Sequence, residues 1–133
     1  MKTLLFLVAL GFMLIGCAHE GPYVPSQRQP APEFENTTVV LDREISGLVA
    51  VDLQHAERTH QGKLKGMANI RNRTNQDLTL QVQTVFRDVN GFSINDDTSW
   101  DTIVLTANET RTVGATSTTP KADRYTIRIR MMR

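Results

Sequence analysis

The chain has 133 residues, 40% of them hydrophobic, with 15 Lys and Arg against 14 Asp and Glu and a single cysteine. That length supports one small domain. A near-neutral balance supplies no general attraction to nucleic acid or anionic lipid, and one thiol excludes an internal disulfide.

Lys2 puts a positive charge behind the start, and Leu4 to Ile15 follow as an almost unbroken apolar run ending at Gly16 and Cys17. Crossing the hydrocarbon core takes about 20 apolar residues, so this run is too short to span it. It has the proportions of a secretory signal. Leu14-Ile15-Gly16-Cys17 resembles the bacterial lipobox. The resemblance implies cleavage before Cys17, a diacylglycerol on its thiol and an acyl chain such as palmitate on the new amine. Two or more chains anchor stably, each buried CH₂ contributing about 0.8 kcal/mol. By resemblance to Gram-negative lipoprotein sorting, an aspartate after the cysteine would imply inner-membrane retention, and Ala18 there implies the outer membrane. The alternatives are a plain signal peptide with an incidental cysteine, or an uncleaved anchor.

Residues 18–36 hold four of the five prolines and show no apolar periodicity. They read as an extended tether, with a proline-rich ligand for a partner as the alternative. The expected organisation is a signal over 1–16, a lipidated Cys17 with its tether over 17–36, and a domain over 37–133.

From Thr37 the pattern has period two, the mark of half-buried strands. Weak strands are predicted at Thr38–Leu41 and Leu48–Glu57. Over Lys63–Arg73, Leu64, Gly66, Ala68 and Ile70 share one face, while Lys63, Lys65, Asn69, Arg71 and Arg73 share the other. A polar hairpin at 72–77 leads to Leu78–Phe86, with Leu78, Leu80, Val82 and Phe86 opposite Thr79, Gln81, Gln83 and Arg87. Asp88-Val-Asn-Gly91 suits a tight turn. Weak strands follow at Ser99–Leu105 and Thr110–Ser117. Finally Tyr125, Ile127, Ile129 and Met131 alternate with Arg124, Thr126, Arg128 and Arg130. About seven short strands with regular turns predict an all-β fold, an antiparallel β-sandwich of Ig-like character. No Cys…Trp…Cys pattern is present, which excludes an antibody-type domain.

The order of Phe86-Arg87-Asp88, Asn90-Gly91, Trp100, a Thr/Ser-rich strand and the alternating Tyr125 to Arg130 finish resembles the YcfL family of small Gram-negative lipoproteins, whose function is unknown. The resemblance covers roughly Val39 to the end. It implies a β-sandwich on the periplasmic face of the outer membrane. Genes of that family often lie beside one for a lipoprotein activator of a penicillin-binding protein, which implies a role in the cell envelope. The family brings no catalytic residues.

Other chemistry has weak sequence support. His55 and His60 are five apart in an extended stretch and point to opposite faces. His55 and Glu57 share a face but lack a third metal ligand. Asp88, Asn90, Asn95, Asp96, Asp97 and Asp101 gather oxygen ligands, yet without the spacing of a calcium loop, and read as turn formers. No serine sits in a nucleophile elbow, so no triad assembles. The sequons at Asn36, Asn72 and Asn108 read as chance matches in Asn/Thr-rich turns. Lys63, Lys65, Arg71, Arg73, Arg87, Arg124, Arg128 and Arg130 line the polar faces of three strands. They form a candidate basic binding face if those strands are neighbours; the alternative is that they guard outer faces against aggregation.

The expected function is that of a non-catalytic, lipid-anchored periplasmic lipoprotein contacting an envelope protein, with no cofactor, metal or nucleic acid. The alternative is a binder of an anionic envelope polymer, peptidoglycan or lipopolysaccharide, through the basic face.

Overall fold

The computed structural model describes residues 37–133. The signal, Cys17 and the tether lie outside the described residues. Seven strands form: β1 (Thr37–Val40), β2 (Val49–Arg58), β3 (Leu64–Asn72), β4 (Leu78–Arg87), β5 (Asp101–Leu105), β6 (Thr110–Thr116) and β7 (Arg124–Met131). A single 3₁₀ turn, Arg43–Ile45, separates β1 from β2. The strands make two sheets, β1-β7-β4-β5 and β2-β3-β6, packed face to face.

The alternation explains the packing. Leu64, Ala68 and Ile70 of β3 face Leu80, Val82 and Phe86 of β4 and Tyr125, Ile127 and Ile129 of β7, all buried. Leu105 closes the β5 side, and Ile45 seats the 3₁₀ turn against the core. Gly66 lies beneath the Tyr125 ring, which occupies the space a side chain there would need. Burial pushes the Tyr125 phenol up.

Every ladder is antiparallel except one: β1 runs parallel to β7, with Thr37 opposite Thr126 and Val40 opposite Ile129. The chain therefore enters the domain at the end where β7 begins. β1 leaves at the far end and crosses through the 3₁₀ turn to the other sheet, a route that a hairpin cannot make. The entry end also carries the turns at 59–63, 88–93 and 118–123, because Arg87 pairs with Arg124 and Arg58 pairs with Leu64. The far end carries 41–48, 73–77, 106–109 and the C-terminus.

β5 starts two residues later than the alternation suggests. Thr98 stands in for the ladder there, its backbone N–H donating to Thr84 O and its hydroxyl accepting from the Thr84 N–H, each at 2.9 Å.

Three carboxylates lock the strand ends and β2. Asp42 accepts from the Met131 backbone N–H at 2.7 Å and from Arg133 at 2.8 Å. Glu109 accepts from the Thr106 N–H at 2.7 Å and from Arg111. Asp52 accepts a two-pronged contact from Arg71 at 2.8 and 3.1 Å. These partners hold all three carboxyls below their usual range. A depressed folded pKa contributes stability above the unfolded value, about pH 4, and loses it as pH falls through the folded value. Thermal midpoints followed by circular dichroism should be flat from neutrality to about pH 5 and decline below about pH 4. Asp42→Asn should remove part of that decline; an unchanged acid profile would contradict this role.

Candidate functional site

The eight basic residues do not form one face, because β3 lies in one sheet and β4 and β7 lie in the other. Their surroundings also differ. On the β3 sheet, Lys65 pairs with Glu57 at 3.1 Å and Arg71 with Asp52 at 2.8 Å. Arg73 donates to Gly47 O at 3.3 Å, and Lys63 precedes β3 at the entry end. Exposed pairs of this kind contribute little stability, but they cancel the field of that face.

The outer face of the β7 sheet keeps its cations together. Arg87 stands opposite Arg124, Gln83 opposite Arg128, and Gln81 opposite Arg130. Arg87 reaches Thr126 Oγ1 at 3.1 Å. Arg130 donates to Gln81 Oε1 at 3.0 Å, and its guanidinium lies 3.8 Å from the Trp100 ring centroid. Stacking and hydrogen bonding orient this guanidinium while leaving its charge intact. Trp100 was legible as a lone aromatic before β5; its stacking partner was not.

A second surface was missed in the sequence. On the outer face of β2-β3-β6, Leu53, His55, Met67, Asn69 and Thr112 line a shallow hollow of about 210 Å³. Gly114 stands opposite Met67, so β6 offers no side chain to cover it. The register shifts between Val51 and Leu53, a bulge that moves Asp52 out of the ladder and turns Leu53 outward. Leu53 is 61% exposed. β2 is also an edge strand, exposed along 52–58. Met67 sits in the polar phase of β3 between Lys65 and Asn69, and that misplaced apolar residue was the available signal.

The remaining candidates take other parts. His55 joins the hollow, while Glu57 is held by Lys65. His60 lies in the β2–β3 turn. Asp88 Oδ1 accepts from the Asn90 and Phe92 N–H groups, each at 2.9 Å. Asp96 accepts from the Thr118 N–H at 2.7 Å and hydroxyl at 2.6 Å. Both carboxylates organise turns. Asn95 adopts a positive φ of 55°, as asparagine tolerates, while Asp97 and Asp101 are exposed. Asn72 is fully buried, so its sequon marks a structural amide.

The fold places the chain among small β-sandwich domains. More narrowly, it belongs to the family described as a protein of unknown function (DUF1425), whose model matches residues 36–131. The chain is similar to the crystal structure of Campylobacter jejuni cj0090, with a TM-score of 0.61 and 14% identity over 74% of this chain and 100% of that one. It is similar too to a DUF1425 family member from Shewanella sp. pv-4, with a TM-score of 0.58 and 24% identity over 64% of this chain and 79% of that one. No curated protein matches the chain.

Proposed function

We propose that the chain is a YcfL-type lipoprotein, attached through Cys17 to the periplasmic face of the outer membrane. There it contacts an envelope protein without performing catalysis. The lipobox-like Leu14-Ile15-Gly16-Cys17 supports the attachment. The observation that carries the contact is the open β2 edge beside an apolar hollow. An edge strand offers unpaired backbone groups to an extended segment, and alternate side chains of that segment would enter the hollow at Leu53 and Met67. The outward Leu53 is an exposed apolar group at such an edge, of the kind that marks interaction sites.

A photo-reactive residue at position 53 in growing cells, compared with one at Thr102 on the opposite sheet, tests this reading. The expected result is one discrete protein adduct at 53 that survives high salt and disappears in Met67→Arg. The same adduct at both positions, or none at either, would remove the support. Cys17→Ser should shift the protein out of the outer-membrane fraction; continued tight fractionation would overturn the anchor.

The Arg130–Trp100 stack favours a second reading, binding of an anionic envelope polymer on the β7 sheet. In that case retention on peptidoglycan or lipopolysaccharide is salt-sensitive and is lost in Arg128→Gln with Arg130→Gln.

A further inference from the structure

The two most exposed large apolar side chains of the described residues, Phe92 at 70% and Val89 at 63%, project from the same turn. That turn is built rigidly. Gly91 N–H donates to Asp88 O at 3.0 Å, Asp88 N–H donates to Phe92 O at 2.9 Å, and Asp88 Oδ1 holds two further N–H groups. Gly91 takes the positive φ of 88° that closes it, and Ser93 bridges back to Arg87. Two apolar groups are thus held out in water by a turn with little conformational freedom left to lose, so whatever covers them gains burial at little ordering cost.

The turn lies at the entry end of the sandwich. Thr37 begins β1 beside Thr126, and Arg87, the last residue of β4, pairs with Arg124 just before it. The 36 residues outside the structure therefore join the domain at the end that carries Phe92. Across a hollow from Val89 lie Pro120 and Lys121. Lys63 sits in the neighbouring turn, and neither lysine forms an ion pair among the described residues. The carboxylates of this end are engaged: Asp123 by Arg58 at 3.2 Å, Asp96 by Thr118, and Asp88 by its own turn. Asp97 lies further along the return toward β5.

We propose that this end is a second membrane contact, in which Phe92 and Val89 enter the interfacial layer of the bilayer while Lys63 and Lys121 meet lipid phosphates. An aromatic and an aliphatic group flanked by lysines match that layer, which is apolar at its inner side and anionic at its outer side. The contact rests on the lipid-anchor reading, which brings the membrane to this end. It also sets the orientation of the domain: the far end and the β2 edge are directed to the periplasm.

The test uses the full chain on vesicles of phosphatidylethanolamine and phosphatidylglycerol with brominated acyl chains, which quench nearby indoles. In a Trp100→Phe background, Phe92→Trp places the indole at the tip and Gln76→Trp places it at the far end. The expected result is roughly a two-fold loss of emission at position 92, as for an indole about 5–10 Å into the interface, with position 76 unaffected. A chain that floats with the vesicles but shows equal quenching at 92 and 76 overturns this contact while the anchor stands. A chain that does not float overturns both.

Discussion

Gly114→Ala is expected to destabilise the domain by about 3 kcal/mol or more, lowering its thermal midpoint by roughly 12 °C or more. Gly114 has φ of 146°, and a Cβ there would run into the backbone of Gly66 and Met67 on the adjoining strand. Backbone in a ladder cannot rotate aside, so the clash is relieved only by prising β6 from β3. Gly66→Ala is expected to cost a similar amount for a different reason, since its Cβ would meet the ring of the buried Tyr125. Gly47→Ala is the contrast: nothing lies within 4 Å of its Cβ position, and the change should stay within about 0.5 kcal/mol. Melting all three side by side separates steric exclusion from a general intolerance of lost glycines. Equal midpoints for Gly114→Ala and Gly47→Ala would refute the close-approach account.

These glycines mark the limit of what the sequence makes legible. Alternation along β3, β4 and β7 shows which residues share a face of one strand, and the core sets follow it: Leu64, Ala68 and Ile70, then Leu80, Val82 and Phe86, then Tyr125, Ile127 and Ile129, although Val85 and Thr126, paired in the opposite phase, are buried too. Turn chemistry at Asn90-Gly91 was equally local and equally legible. What alternation cannot carry is which strand lies next to which. Arg71 and Arg128 look equivalent in sequence, yet one pairs with Asp52 on one sheet and the other belongs to the second sheet, opposite Gln83. The parallel β1–β7 pair is non-local for the same reason, as its partners are about ninety residues apart. Exceptions to the period were the functional clues. Met67 in the polar phase of β3 lines the hollow, and the extra residue at Asp52 turns Leu53 outward. Thr84 reverses the exception: a polar residue buried on the core face, with its backbone N–H bonded to the Thr98 hydroxyl.

Asn72→Asp is expected to cost about 3–5 kcal/mol at neutral pH, although it changes one NH₂ group to oxygen. The Asn72 side chain is fully buried at the end of β3. Its Nδ2 donates to Gln76 O at 2.7 Å, Thr106 O at 2.9 Å and Leu105 O at 3.1 Å, while Oδ1 accepts from the Thr74 N–H at 2.9 Å and hydroxyl at 2.8 Å. One amide thereby joins the β3–β4 connection to the β5–β6 turn, both of them far-end crossings between the sheets. A carboxylate would keep the Thr74 bonds but would set negative oxygen against three carbonyls with no donor between them. The sign of the pH dependence follows. Carbonyls and burial favour the protonated acid, so the folded pKa of the new group is raised above its unfolded value of about 4. The protonated form restores one donor, and that benefit is complete below the unfolded value and lost as pH rises through the folded one. The stability gap between Asn72→Asp and the parent should therefore be smallest in acid and widen toward neutrality, opposite in direction to the acid loss at Asp42. Denaturant midpoints at several pH values measure it. A gap that does not change with pH would show that the amide's donors are not what joins the two turns.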